Sequence, residues 1–202
     1  ARRPAEDDGT AAGFPRARFS IADRNARGLN PVAEAVSRVL GLATGRIPAS
    51  GVLDLLDLDP VRRRFGLDAD GLQRVRDWVI EGRARWGLDE GHRQDEGQPG
   101  DRQNTWRFAL DRFVLGAAMA GDDGRSFDGV LPFEGIEGEA ARDLGRFLRF
   151  CGTLFEARRR LTDGVRGRVH AGAVARTPAV WQQTVADLLD AFVDVPGSAF
   201  WQ

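Results

Sequence analysis

From residue 30 onward this chain repeats one kind of text: a polar or proline start signal, apolar residues at intervals of three and four, then a glycine, proline or acidic break. That spacing gathers side chains on one stripe of a helix, whereas a half-buried strand needs strict alternation. Helices written this way must bury their stripes against one another. The chain is therefore expected to be mainly α, a multi-helix domain with at most one or two short strands.

Asn30 caps a helix that opens at Pro31 and carries Val32, Ala35, Val36, Val39 and Leu40. Gly41 or Gly45 is expected to close it as a left-handed residue. Ser50 caps a second, short helix through Val52, Leu53, Leu55 and Leu56, stopped by Pro60. Pro60 itself opens the segment Val61–Phe65, which Gly66 closes, and Asp68 caps Gly71–Glu81 with Leu72, Val75, Trp78 and Val79 as its stripe. Residues 82–103 are rich in glycine and acids and read as a loop.

Thr105 opens a helix that sets Trp106, Leu110, Phe113, Val114, Ala117 and Ala118 on one side and ends at Asp122-Asp123-Gly124. An irregular acidic connection runs to about residue 138. The long helix that follows carries Leu144, Phe147, Leu148, Cys151, Leu154, Phe155 and Leu161. Gly145 and Gly152 weaken it by ~1 kcal/mol each relative to Ala. Thr177-Pro178 opens a last helix with Trp181, Val185, Leu188, Leu189 and Phe192 before Pro196-Gly197. Upstream, Arg18–Ala22 alternates and reads as one short strand, which needs a partner outside this stretch or in a small local pairing. Residues 1–17 lack periodicity and read as a flexible leader, so the helical domain is assigned to residues 18–202. The chain begins without Met and ends on Trp201-Gln202, and it reads as an internal fragment of a longer protein.

Composition narrows the function classes. The formal charge of −1 gives no global case for a polyanionic partner, yet residues 142–176 hold nine Arg against three acids while residues 122–139 hold one Arg against six. Blocks of one sign are either solvated faces or docking surfaces. All 29 basic residues are Arg, which fits a GC-rich bacterial coding bias. The single cysteine, Cys151, excludes an internal disulfide and, with two histidines, argues against structural zinc. No apolar run approaches the ~20 residues of a membrane-spanning helix.

Catalytic constellations are not spelled out. Gly41-Leu-Ala-Thr-Gly45-Arg46 lacks the Lys and Ser/Thr of a phosphate loop and follows a helix rather than a strand. The carboxylate groups Asp54/Asp57/Asp59, Asp122/Asp123 and Glu137/Glu139 sit where composition marks solvated surface, and His92 and His170 each stand alone. Arginine clusters are the serious candidates: Arg62, Arg63 and Arg64 before Phe65, Arg158, Arg159 and Arg160 after Phe155, and Arg85, Arg107 and Arg112 flanking Trp86 and Trp106. Arginine beside an aromatic suits a nucleic-acid strand, with phosphate pairing and base stacking. The same composition suits arginine packed on tryptophan with its head paired to Asp89 or Asp111, or a subunit contact. Both readings stay open for these residues.

In order along the chain, Phe19-Ser-Ile-Ala-Asp23-Arg24 with Asn30-Pro31, Arg46-Ile-Pro-Ala-Ser50 with Val52–Leu56, and Val61-Arg-Arg-Arg-Phe65-Gly66 are followed by Trp78-Val79. Arg85-Trp-Gly-Leu-Asp89, His92-Arg93 and Asn104-Thr-Trp106 with Leu110-Asp-Arg112 and Gly116 complete the series. This series resembles the RecC family, the gamma subunits of exodeoxyribonuclease V, over about residues 14–192. The Leu154–Arg158 and Trp181 helices agree more loosely. Gly51, Arg83 and Ala109 depart from it, standing where the family favours Glu, Gly and Gly.

The resemblance implies a helical region like the accessory 2B subdomain of an inactive superfamily 1 helicase, entered from a strand of the motor-like core. It implies a non-catalytic scaffold segment of a RecBCD helicase–exonuclease in the bacterial cytoplasm, acting in DNA-end processing for double-strand break repair and recombination. The partners are RecB-like and RecD-like subunits and DNA single strands in a channel. No cofactor is expected in this segment, since ATP and Mg belong to the partner subunits. The alternative is a free-standing helical protein–protein interaction domain with no DNA role.

Overall fold

A computed structural model describes residues 30–119, 126–162 and 177–194. Among these residues the chain forms helices α1 (Pro31–Thr44), α2 (Ala49–Leu56), α3 (Asp59–Phe65), α4 (Ala69–Glu81), α5 (Glu90–Asp95), α6 (Trp106–Ala118), α7 (Glu139–Thr162) and α8 (Pro178–Phe192). The described residues hold no β-strand beyond an isolated bridge between Phe127 and Val130. The mainly α expectation stands. The Arg18–Ala22 strand, the 1–17 leader, the Asp122-Asp123-Gly124 stop, His170 and Pro196-Gly197 all lie outside the described residues.

Helix starts follow local side-chain chemistry. The Asn30 side chain accepts from the amides of Val32 and Ala33, Asp68 from Gly71, Thr105 from Phe108 and Thr177 from Val180. Each satisfies amides that the first turn leaves without a helical partner. Gly66 ends α3 at φ 73°, the left-handed conformation a residue without Cβ adopts at least cost.

Four expectations about where helices begin and end need correction. Ser50 lies inside α2, which starts at Ala49 after Pro48, because the Ala49 amide donates to the distant Arg85 carbonyl at 2.8 Å. That helix ends at Leu56 with Asp57 as its C-cap, before Pro60 is reached. Gly45 does close α1, but in an extended conformation (φ −115°, ψ −156°) rather than a left-handed one. The stretch read as a loop over 82–103 contains α5, capped by Asp89 accepting from the His92 amide.

The core is one continuous cluster with α7 along its length. α7 buries Leu144, Phe147, Phe150, Cys151, Leu154, Ala157 and Leu161, and its Phe150 stacks with Phe147 and meets Phe65 and Phe192 edge-on. Edge-on rings place a positive edge on a negative face and add about 0.5–1.5 kcal/mol each beyond area burial. On α6 the buried stripe is Trp106, Ala109, Phe113 and Gly116, not the one expected: Val114 faces outward, since the helix is rotated to seat Phe113 between Trp78 and Phe133. Asp143 of α7 is fully buried and accepts from Arg74 of α4 and from Arg146, tying two helices through one carboxylate.

Candidate interaction surface

The motif residues of the sequence converge on a junction of three irregular segments. Gly87 donates its amide to Arg46, Ala49 to Arg85, and Arg85 to Asn104. The amides of Trp106 and Arg107 then reach the carbonyls of Gly87 and Leu88, both at 2.9 Å. Backbone outside helices must find partners of this kind when it is buried. The Trp106 indole, fully buried, donates to the Ile47 carbonyl at 2.8 Å. Ile47 is itself buried at φ 53°, a strained conformation for a β-branched residue, and its carbonyl orientation is fixed by that bond.

α5 packs polar groups beneath this junction. Arg93 donates to the carbonyls of Trp86, Asp101 and Gln103, and both Arg93 and Arg46 set their guanidinium groups over the Trp86 ring at 5.0 and 5.4 Å. His92 accepts the Leu88 amide on Nδ1, which places the proton of the neutral ring on Nε2. Nε2 is buried without a hydrogen-bond partner, 4.0 Å from the Glu96 carboxylate. The Glu96 side chain is almost fully buried and pairs with Arg46 at 3.2 Å. Burial, reinforced by the nearby Arg158 charge, holds the His92 pKa below its ordinary value against the opposing pull of Glu96, Asp89 and Asp95.

The arginines singled out from sequence part company here. Arg158 is buried, and its Nη1 donates to the carbonyls of Ala43 and Gly45 at the end of α1. Arg159 beside it is exposed and pairs with Glu156, as does Arg160, and the hydrogen bonds from these two arginines hold the Glu156 pKa at about 2. Arg62 pairs with Asp59, Arg63 stands 4.0 Å from the same carboxylate, and Arg64 donates to the Ala191 carbonyl at 3.4 Å. Arg85 is exposed beside the junction. Arg107 is 67% exposed and 3.8 Å from Asp89. Arg112 turns back onto its own domain, donating to the Leu131 carbonyl and lying over the Phe133 ring.

Trp106 is therefore core, and Trp86 already carries two cations. The exposed acids Asp54 and Asp57 pair with Arg38 and Arg76. Among the described residues, no three of His, Cys, Asp and Glu are grouped so as to hold a metal ion.

Sequence reasoning missed α5, Asp143 and the buried role of Arg158. The signal for α5 was the cap itself, Asp89 three residues before His92 with Glu90 in the first turn. No apolar stripe advertised it.

Residues 29–202 match the family model for the fourth domain of the RecBCD enzyme subunit RecC. The chain is 35% identical over 172 residues to a RecBCD enzyme subunit RecC of Mycolicibacterium smegmatis, covering 84% of this chain and 15% of that one. It is 34% identical over 174 residues to the Escherichia coli subunit of the same name, covering 86% of this chain and 14% of that one. Against the Mycobacterium tuberculosis subunit it is 36% identical over 135 residues, 67% of this chain and 12% of that one. The chain thus spans about one seventh of the length of these relatives. No described helix is long and apolar enough to cross a membrane. A family model that spans all of the described residues, and relatives at this level of identity, place the chain in the RecC family.

Proposed function

We propose that this chain is a non-catalytic scaffold segment of a cytoplasmic RecBCD-type helicase–exonuclease, acting in DNA-end processing for break repair and recombination. The RecB-like and RecD-like subunits are its partners and supply ATP and Mg chemistry. The observation that carries the reading is the use made of the buried polar side chains. Arg93 and Arg158 direct their terminal N–H groups at backbone carbonyls, and Asp143 accepts from two arginines. Such groups fix the shape of a helical body. None is presented to a reactant. In this reading the region corresponds to the 2B-like part of an inactive superfamily 1 helicase.

A contact with a DNA single strand draws on the half-buried Arg62 and the exposed arginines Arg63, Arg64, Arg85, Arg107 and Arg159. Phosphate neutralisation releases counterions, so such binding is weak, indifferent to sequence and steeply salt-dependent. Two measurements test the proposal. The purified chain should show no DNA-stimulated phosphate release; release that survives rigorous purification refutes the non-catalytic role. Arg62, Arg63 and Arg64 changed together to Gln should flatten the salt dependence of single-stranded DNA binding. No binding at low salt, or an unchanged slope, removes DNA contact from this cluster and leaves packing or subunit contact as its role.

A further inference from the structure

The outer face of α6 and the turn beside it leave large apolar side chains in water. Val114 is 44% exposed there, and beyond it Phe127 is 63% and Leu131 51% exposed. Val114, Phe127 and Val130 line an open hollow of about 300 Å³. A second, polar hollow of about 490 Å³ adjoins it and holds Glu90 and Asp111. The two are continuous because Arg102 and Asp111 line both. Asp111 and Val114 lie three apart on one helix, so a carboxylate stands one turn from the apolar hollow.

The charges on this face do not balance within the domain. Arg102 lies over the Phe108 ring and Arg107 leans toward Asp89. Glu90 and Asp111 in the polar hollow, and Asp128 at the rim of the apolar one, form no salt bridge among the described residues. With Asp89, Glu90, Asp111 and Asp128 against Arg102 and Arg107, the lining of the two hollows is net negative, which disfavours a phosphate backbone on this face. It attracts a cation, and an exposed aromatic set beside polar residues is the composition of a protein contact, with an apolar centre and a polar rim.

We propose that the outer face of α6, with the 127–131 turn, docks a segment of a companion subunit that carries an arginine or lysine about one helical turn from a large apolar side chain. The apolar group fills the Val114–Phe127 hollow, and the cation sits between Glu90 and Asp111. The assignment rests on the reading of this chain as part of a multisubunit enzyme. Of the arginines named above, Arg107 lines the polar hollow and the others line neither hollow, so DNA contact through those others and subunit docking need not compete for one surface.

The test uses the full-length RecC-type subunit that carries this region, co-expressed with its RecB-type and RecD-type partners. A photo-reactive benzoylphenylalanine replaces Phe127, and in a control replaces the exposed Gln73 of α4. Irradiation should cross-link position 127, and not position 73, to one of the two partner subunits. Glu90→Gln with Asp111→Asn should lower that yield at least fivefold at low salt, and raised salt should do the same to the unaltered protein. Cross-links confined to the subunit's own chain, to a second copy or to DNA, or no cross-link at position 127, overturn the assignment while leaving the scaffold reading intact. A wild-type subunit that fails to co-purify with either partner overturns both.

Discussion

Gly116 stands in the middle of α6, where helix propensity alone favours replacement by alanine by about 1 kcal/mol. The structure reverses that sign. A Cβ built at Gly116 lies 1.8 Å from the Phe133 carbonyl oxygen and 2.8 Å from its carbon, so backbone, not a movable side-chain tip, is in the way. To accept Gly116→Ala the segment around Phe133 must lift by more than an ångström. That motion strains the Phe133 amide bond to the Arg112 carbonyl, the Arg112 bond to Leu131 and the edge-on contact of Phe133 with Phe113. Overpacking of this kind costs about 1–3 kcal/mol, and a lost aromatic contact about 0.5–1.5 kcal/mol more.

After the propensity gain is subtracted, Gly116→Ala should destabilise the domain by about 1–3 kcal/mol, a fall in Tm of about 2–4 °C per kcal/mol for a domain of this size. Gly145 and Gly152 on α7 are internal controls. An added Cβ meets nothing within 4 Å at either, so Gly145→Ala and Gly152→Ala should each stabilise by up to about 1 kcal/mol. Thermal and urea unfolding of the three variants decide the matter. Stabilisation by Gly116→Ala as large as that by the two controls would refute the close approach of the 133 segment to α6.

Trp106→Ala should cost about 3–5 kcal/mol through cavity formation. Trp106→Phe should still cost about 1–3 kcal/mol by leaving the buried Ile47 carbonyl without a donor, and a wild-type melting curve for either would place the indole outside the core. Arg74→Ala leaves the buried Asp143 carboxylate with Arg146 alone and should lower the Tm. Asp143→Asn in the same chain should recover part of that loss, and a double variant whose unfolding energy is the plain sum of the single losses would show that the charges do not interact. Because the fold holds the His92 pKa below the ordinary 6.5, the unfolded chain binds the proton more readily. Stability from this group is full above 6.5 and falls as pH drops from there toward the folded pKa. Urea unfolding at pH 7.5 and 5.5 should show a larger loss for the wild type than for His92→Gln, and equal losses would count against the buried neutral ring.

Arg83 sits at φ 58°, where the RecC resemblance favours Gly. Arg83→Gly removes a left-handed penalty of about 1–2 kcal/mol against an unfolded-state entropy cost of about 0.4–1 kcal/mol, so a modest rise in Tm is expected. A fall in Tm would mean that the Arg83 side chain stabilises the fold by more than its backbone strain costs.

The sequence by itself determined the helical class, most helix starts and the family. These are local matters: Asn30, Asp68, Thr105 and Thr177 satisfy amides two or three residues away, and Pro31 and Pro178 preset the first turn whatever lies opposite. The ordered blocks around Arg46, Arg85 and Asn104 carried the resemblance, and these same blocks are the three segments bonded together at the junction. Only the tertiary structure decided the rest. It started α2 at Ala49 because a carbonyl 36 residues away accepts that amide. The face α6 buries was set by Trp78 and Phe133, not by its own spacing. α5 and Arg158 are buried for polar reasons, through His92, Arg93 and the open carbonyls of α1, and apolar periodicity cannot register a residue whose partners are distant backbone atoms. The same limit explains the arginine triplets: adjacent in sequence, Arg158 and Arg159 diverge by about 100° around the helix, so one ends against backbone in the interior and the other in water.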